Sequence, residues 1–81
     1  MRIRTKEQRE FDEYVGKMVS NIRKSKKIRQ LDLAVELNIE TASVARIENG
    51  YKSLNFYRLF QICNYLGVSV QDIVPHQPIK P

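Results

Sequence analysis

The sequence has few of the residues that interrupt helices or stabilise secreted proteins. Of its 81 residues only three are glycine, three are proline and one is cysteine, and tryptophan is absent. The lone Cys63 cannot close a disulfide within the chain, so the fold must be stabilised by packing. All three prolines, Pro75, Pro78 and Pro81, fall in the last seven residues. The first 74 residues therefore lack helix breakers, which favours an all-helical body.

Long apolar runs are also missing. The longest, Tyr65 to Val68, spans four residues, which is too short for a membrane span or for the apolar core of a signal peptide. We therefore expect a cytoplasmic protein with no membrane partner. A chain of 81 residues forms at most one small domain, and 42% hydrophobic with 28% charged residues is ordinary for a soluble globular protein.

Residues suited to catalysis or metal binding are scarce. The single histidine, His76, lies next to proline in the tail, and Cys63 falls on the predicted apolar face of a helix. No triad of serine, histidine and aspartate and no zinc-type cysteine and histidine spacing can be assembled. Gly50 and Gly67 are too far apart to form a phosphate-binding loop. We expect no enzyme activity, no metal and no cofactor.

The net charge of +5 is concentrated in the first third of the chain. Residues 1–29 hold ten lysines and arginines against four acids, whereas residues 30–81 hold four against five. A basic segment joined to a nearly neutral body indicates an anionic partner such as nucleic acid, anionic lipid or an acidic protein surface. A solvated basic helix that only keeps the protein soluble gives the same pattern, so charge alone does not decide.

An apolar stripe predicts a first helix of about twenty residues. Thr5 and Gln8 match a capping box, in which the threonine oxygen accepts from the Gln8 amide and the Gln8 side chain reaches back, so the helix should begin near Lys6. A basic run at 23–27 suits the negative end of this helix. The stripe recurs every three or four residues and comprises Phe11, Val15, Met18 and Ile22, widened by Tyr14 and Val19.

Four shorter helices are predicted after residue 29. Helix 2 runs from Gln30 to Leu37 and helix 3 from Thr41 to Glu48. Asn49-Gly50 is also a strong hairpin signal, but the flanking residues do not alternate, so we interpret it as the end of helix 3. Asn55 caps helix 4, which Gly67 ends, and Ser69 opens a short fifth helix that Pro75 terminates. The inward residues of helix 4 are Leu59, Ile62, Cys63 and Leu66.

Helices 2 and 3 are separated by the turn Asn38-Ile39-Glu40, which is typical of a helix-turn-helix. Ala34 allows a close crossing, Asn38 tolerates the left-handed conformation that the turn needs, and Ile39 fits the crevice between the helices. This geometry leaves the outer face of helix 3 free to enter a major groove. Tight turns between short helices also occur in any small helical bundle, so the pattern alone leaves both readings open.

Three stretches together resemble the Xre/Cro-type helix-turn-helix domain of phage repressors and bacterial regulators. They are QLDLAVELNI at 30–39, VARIENG at 44–50 and LGVS at 66–69, and the resemblance covers about residues 16–74. It implies an all-α, compact five-helix DNA-binding domain whose third helix is the reader, usually dimeric on pseudo-palindromic DNA. Residues 1–15 are then an extension of helix 1, 16–74 the helix-turn-helix domain, and 75–81 a Pro-rich tail.

The chain departs from that family in several places. Arg29 stands where a serine or threonine usually caps helix 2, at a cost of about 1 kcal/mol. Lys27 and Asn38 stand where glycine is common, so either Lys27 is a strained left-handed residue or the loop differs. The segment before Gly16 is longer than the family minimum, and its role is the part least inherited from the resemblance.

Functional roles follow for the residues around helix 3. Val44 and Ile47 face inward, so the base-reading face consists of Thr41, Ala42, Ala45 and Arg46. A contact of Arg46 with a phosphate or an acidic neighbour is the alternative to base reading. The resemblance implies DNA-backbone contacts from Gln30, Ser43, Asn49 and Lys52, with Tyr51 nearby. It also implies a structural salt bridge between Arg23 and Glu48. General attraction to phosphates is expected from four further cations, which are Lys24, Lys26, Lys27 and Arg29.

The leading interpretation is a sequence-specific transcriptional regulator of double-stranded DNA, with repression favoured, acting as a homodimer. One alternative is an antitoxin that neutralises a toxin and controls its own promoter; another is a nonspecific binder of RNA or lipid. The dimer interface is expected among C-terminal apolar residues or on the extended first helix. The C-terminal candidates are Val70, Ile73, Val74 and Ile79, and those of the first helix are Phe11 and Tyr14.

Overall fold

Four α-helices and one 3-10 turn follow one another in the computed structural model, which describes residues 3–76. The helices are α1 Lys6–Ser25, α2 Gln30–Leu37, α3 Thr41–Glu48 and α4 Phe56–Leu66. The bounds of α2 and α3 coincide with those that the sequence pattern predicts. Residues 3–76 contain no strand, so Asn49-Gly50 ends a helix and does not form a hairpin. Within this range no helix has the length and apolarity needed to span a membrane.

The compact all-helical architecture is confirmed, but the expectation of five helices is wrong. The last element is a 3-10 turn, Val70–Asp72. The amides of Asp72 and Ile73 each donate to the carbonyl oxygen three residues earlier, at a distance of 3.0 Å. Pro75 explains its length, because proline lacks an N–H and disfavours helical backbone at the residue before it. Only one turn fits between the Ser69 cap and this proline.

Each of the four helices ends with the same backbone motif, in which a left-handed residue follows the helix and two amides bond back to its last turn. Asn38 fills this position after α2 with φ 57°, as predicted. Lys27 fills it after α1 with φ 59°, so of the two alternatives for Lys27 the strained left-handed one is found. The apolar residues that follow, Ile28, Ile39 and Val68, pack on the core.

The helix starts differ in part from expectation. Thr5 Oγ1 accepts from the Gln8 amide at 3.0 Å, but the Gln8 side chain does not reach back; its Nε2 donates to Ser53 Oγ at 2.9 Å. At α2, Asp32 Oδ2 accepts from the backbone N–H of Arg29 at 2.9 Å. This acceptor stabilises the start of α2 in place of the missing serine or threonine cap.

The core lies where α1, α2, α3 and α4 meet, and the 3-10 turn closes one side of it. Tyr14 remains 43% exposed, so its assignment to the apolar stripe of α1 is wrong. Ile73 is fully buried, so its assignment to a dimer interface is also wrong, and Ile79 lies outside the described residues. The buried cluster comprises Val15, Val19, Leu33, Ala34, Leu37, Val44, Ile62, Cys63, Leu66 and Ile73.

The face of α1 that meets α3 is partly polar. Asp12, Gly16 and Arg23 are buried there beside Val15 and Val19. A Cβ on Gly16 would lie 2.7 Å from the Glu48 carbonyl oxygen and would also clash with the Ile47 carbonyl. The backbones of α1 and the end of α3 therefore cross so closely that no side chain fits between them. This crossing fixes α3 against the long first helix.

Candidate nucleic-acid interface

The two faces of α3 differ as the sequence predicts. Val44 and Ile47 are 0% and 4% exposed and point into the core. On the opposite side Ala42 and Arg46 are exposed, and Thr41 and Ala45 are partly exposed. The four residues assigned to base reading thus share one accessible face, and none of them is buried by the rest of the described chain.

Arg46 makes one polar contact among the described residues. Its Nη2 donates to Ser43 Oγ at 3.2 Å, one turn earlier on the same exposed face. A guanidinium carries five N–H donors, so this contact leaves most of them available. A single solvent-exposed hydrogen bond of this length is easily exchanged for a stronger acceptor such as a guanine edge or a phosphate.

A buried ion pair joins α1 to the end of α3. Arg23 Nε donates to Glu48 Oε2 at 2.7 Å and Nη2 to Oε1 at 3.1 Å, with side chains 8% and 5% exposed. Arg23 Nη1 also donates to the Ile28 carbonyl at 2.7 Å. Gln30 Nε2 donates to Glu48 Oε1 at 3.1 Å. The ion pair therefore links α1 to the end of α3, and its further hydrogen bonds link both to the start of α2. These contacts fix the orientation of the helix-turn-helix relative to α1.

The loop from α3 to α4 carries three of the residues assigned to backbone contacts, Asn49, Tyr51 and Lys52, and all three are exposed. Gly50 lies among them with φ 73°, and a Cβ there would lie 2.6 Å from Glu13 Cα. Because of this contact, the loop rests directly on the backbone of α1 while its polar side chains face solvent.

A basic turn precedes α2. Its four cations, Lys24, Lys26, Lys27 and Arg29, are all exposed. Arg29 Nη2 lies 2.8 Å from Asp32 Oδ1, and the hydrogen bond and charge of Asp32 raise the pKa of the Arg29 guanidinium. In return, the side-chain and backbone hydrogen bonds from Arg29 hold the pKa of Asp32 below its ordinary value. The charge of Arg29 is therefore partly offset by Asp32, whereas Lys24, Lys26 and Lys27 form no ion pair with another described residue.

Sequence reasoning assigned no role to Asp12, which is 7% exposed and lies on the α1 face that meets the loop. Its Oδ2 accepts from Arg4 Nη1 at 2.8 Å and from Ser53 Oγ at 2.6 Å. The sequence signal for it was its spacing: Asp12 lies three residues before Val15 and four before Gly16, which places this acid on the same helical face. An acid at such a position requires a buried partner.

Two short helices, α2 and α3, joined by a tight turn through the left-handed Asn38, with the outer face of α3 accessible, are the arrangement of a helix-turn-helix domain. The family model described as "Helix-turn-helix" matches residues 19–73, and this chain belongs to that family. The resemblance to Xre/Cro-type domains is thereby confirmed. Membership in a family of DNA-binding transcription regulators favours a regulator over an enzyme.

Solved structures share the fold. The clp gene regulator ClgR from C. glutamicum is 25% identical over 78% of this chain and 82% of its own, with a TM-score of 0.74. The restriction-modification controller protein C.AhdI from Aeromonas hydrophila is 16% identical over 75% and 92%, with a TM-score of 0.70. Hydroxypropylphosphonic acid epoxidase from S. wedmorenis is 26% identical over 79% of this chain but only 34% of its own, with a TM-score of 0.75. No curated protein matches by sequence comparison.

Proposed function

We propose that this protein is a sequence-specific repressor that binds double-stranded DNA by inserting α3 into the major groove. The observation that carries the proposal is the bare outer face of α3, which is fixed from behind by the Arg23–Glu48 ion pair. Two proteins of the same fold are a clp gene regulator and a restriction-modification controller protein. Repression is favoured because occupying a promoter blocks it sterically without a further contact.

Base reading is assigned to the exposed face of α3. Arg46 donates two parallel hydrogen bonds to guanine O6 and N7, and Thr41 with the methyls of Ala42 and Ala45 contacts thymine methyl groups. Each well-matched contact is worth about 1–3 kcal/mol of discrimination. Since Arg46 is the only long polar side chain on this face, it carries the largest share of specificity.

Residues at the edges of that face contact phosphates and set the register of the helix. Gln30 uses one amide hydrogen for Glu48 and retains a second for a phosphate at the start of α2, where the helix dipole favours an anion. Ser43 and Asn49 lie beside the base-reading residues. Tyr51 and Lys52 extend the contact along the loop, and the exposed lysines before α2 add general attraction.

A homodimer on a pseudo-palindromic operator completes the proposal, because one domain with so few base contacts does not reach specific affinity. Ile73 is fully buried, and Phe11, Val70 and Val74 are partly buried against the core, so of the apolar candidates within residues 3–76 only Tyr14, 43% exposed, stays largely accessible. Phe56 and Phe60, one turn apart on α4, are 72% and 46% exposed and form a second candidate interface beside Tyr14. Sedimentation that shows only monomer at high micromolar concentration would reject this part of the proposal.

The deciding experiment is selection of bound duplexes from a random library, followed by titrations of the selected operator and of a random duplex. Arg46→Ala should weaken operator binding about 10- to 100-fold and random binding far less. Lys52→Ala, which removes the same charge beside the reading face, is the matched control and should weaken both duplexes alike. Equal losses on both duplexes for Arg46→Ala would contradict base reading, and no bound duplex at all would contradict the function.

An antitoxin-type interaction module is the second candidate. Leu31 and Val35, one turn apart on the outer side of α2, are 49% and 72% exposed, and paired exposed apolar residues favour a protein interface. A toxin-sized protein that co-purifies with the wild type but not with Leu31→Ser/Val35→Ser would support this function. Wild type that purifies alone from its own source would count against it.

A further inference from the structure

A polar network ties the start of α1 to the loop that follows α3. Arg4 Nη1 donates to Asp12 Oδ2 at 2.8 Å and to the Gly50 carbonyl at 2.9 Å. Ser53 Oγ donates to the same Asp12 oxygen at 2.6 Å, and Gln8 Nε2 donates to Ser53 Oγ at 2.9 Å. The segment 50–53 is therefore attached at one end to Arg4, just before α1, and at the other to Gln8 and Asp12 of α1.

The segment held in this way contains two of the residues assigned to phosphate contacts. Tyr51 and Lys52 lie between the two attachment points, with exposed side chains. Gly50 rests on the backbone of α1 at Glu13. Arg4 and Asp12 precede the residues that the family model matches, 19–73. The network is thus a contribution of the extended first helix of this chain.

We infer that Arg4, Asp12 and Ser53 are positioning residues that hold the α3–α4 loop in the conformation in which Tyr51 and Lys52 reach the DNA backbone. The inference rests on the DNA-binding function proposed above. Its physical basis is preorganisation: a loop already fixed in the free protein loses little conformational entropy when it binds. Asp12 does this without touching DNA, because its carboxylate is buried beneath the loop.

The sign of one substitution separates positioning from simple electrostatics. Asp12→Asn removes a negative charge from a DNA-binding protein, so electrostatics alone predicts tighter binding. Loss of the Arg4 and Ser53 contacts instead frees the loop and predicts weaker binding. Glu10→Gln removes the same charge from an exposed position on α1 and serves as the matched control. Ser53→Ala is the charge-neutral test, and we expect the fold to tolerate it because Ser53 is exposed.

The experiment measures binding of a random-sequence duplex over a range of salt concentrations. If about one loop residue is disordered in the free protein and must be ordered on binding, the lost conformational entropy lowers the affinity by on the order of tenfold. We expect a loss of affinity of that size for Asp12→Asn and for Ser53→Ala. If the Lys52 contact with a phosphate is lost, the slope of log K against log salt concentration should also become shallower by about 0.9. Glu10→Gln should bind as well as the wild type or slightly better. In a Lys52→Ala/Tyr51→Ala background, Ser53→Ala should cost nothing more.

Amide hydrogen exchange tests the loop without DNA. The amides of Gly50 and Tyr51 bond back to α3 and should exchange faster in Asp12→Asn and Ser53→Ala. The amide of the fully buried Ile62 in α4 reports global opening and should be unchanged in Ser53→Ala. Equal acceleration at Ile62 would mean that the network serves only overall stability and would overturn the inference.

The outcomes distinguish this inference from the function on which it rests. If the wild type binds no duplex but the loop amides respond, the proposed DNA binding fails while the network still orders the loop. If the wild type binds DNA and Asp12→Asn behaves like Glu10→Gln, DNA binding stands and the positioning role is refuted. The positioning role would also be refuted if Ser53→Ala lowered the affinity for DNA as much in the Lys52→Ala/Tyr51→Ala background as in the wild type.

Discussion

Removal of one partner of the Arg23–Glu48 pair should strongly lower the free energy of unfolding of this fold. Arg23→Met leaves the Glu48 carboxylate, 5% exposed, with Gln30 Nε2 at 3.1 Å as its remaining side-chain donor. It also removes the donor that lies 2.7 Å from the Ile28 carbonyl. A methionine fills similar volume, so the lost charge and hydrogen bonds dominate the effect.

An uncompensated buried charge costs about 3–5 kcal/mol. A domain of 81 residues has a free energy of unfolding of about 4–12 kcal/mol at about 0.05–0.15 kcal/mol per residue. The single substitution therefore removes about a quarter or more of the total stability. At about 4–8 °C per kcal/mol, the melting temperature should fall by at least about 12 °C.

The double variant Arg23→Met/Glu48→Leu should recover most of this loss, because a buried pair replaced by apolar residues is often neutral. Unpaired groups at Ile28 and Gln30 retain a cost of about 1–3 kcal/mol. Reversal of both charges should recover less than that, since a glutamate at 23 cannot donate to the Ile28 carbonyl. Urea unfolding followed by circular dichroism measures all variants.

Additive losses in this cycle, within about 0.5 kcal/mol, would refute the reasoning, because groups that share a buried pair must couple. The exposed pair Arg29–Asp32, with a similar contact of 2.8 Å, provides a matched cycle. Solvent and salt screen this pair, so its coupling should be far smaller. Equal coupling at both pairs would mean that burial is not the source of the effect.

Three further predictions follow from single residues. Gly16→Ala should destabilise by about 1–3 kcal/mol in a thermal melt, because its Cβ meets a backbone carbonyl of α3; a gain near the helix-propensity benefit of about 1 kcal/mol would contradict this crossing. Burial, and then the charge of Asp72, raises the pKa of the Cys63 thiol, so iodoacetamide should label it in urea but scarcely in the native protein, and full native labelling would contradict its burial. Arg29 lowers the pKa of Asp32, so its stabilising effect is present above the unfolded value of about 3.9 and disappears as pH falls through the folded pKa. Asp32→Asn should therefore flatten the acid limb of stability against pH, and an unchanged limb would argue against the contact.

The helix-turn-helix itself was predictable because its signals are local. Asn38 and Gly50 adopt the left-handed conformations that end α2 and α3, and the inward Val44 and Ile47 are three residues apart. These features depend on neighbours within one or two turns. The roles of the exposed α3 residues stay predictions, since they depend on a partner that no sequence pattern contains.

The packing face of α1 was less predictable for a physical reason. Apolar residues lie on both edges of its stripe, so periodicity alone does not fix the centre. The close backbone crossing at Gly16 selects the face that carries Asp12 and leaves Tyr14 exposed. The contact of Asp12 with Ser53 joins residues 41 positions apart, and such a pairing follows from the tertiary fold rather than from local spacing.

The orientation of α3 is set from its C-terminal end. Glu40 gives no side-chain cap to its first turn, and a helix of eight residues is not stable alone. Val44 and Ile47 anchor its inner face, the Glu48 carboxylate pairs with Arg23 of α1, and Gly50 rests on the α1 backbone at Glu13. The side chains of the outer face take no part in these anchoring contacts. The hydrogen bond of Arg46 there is to Ser43 of the same helix. Substitutions on that face can therefore change which duplex is bound while leaving stability nearly constant, which separates specificity from folding in this domain.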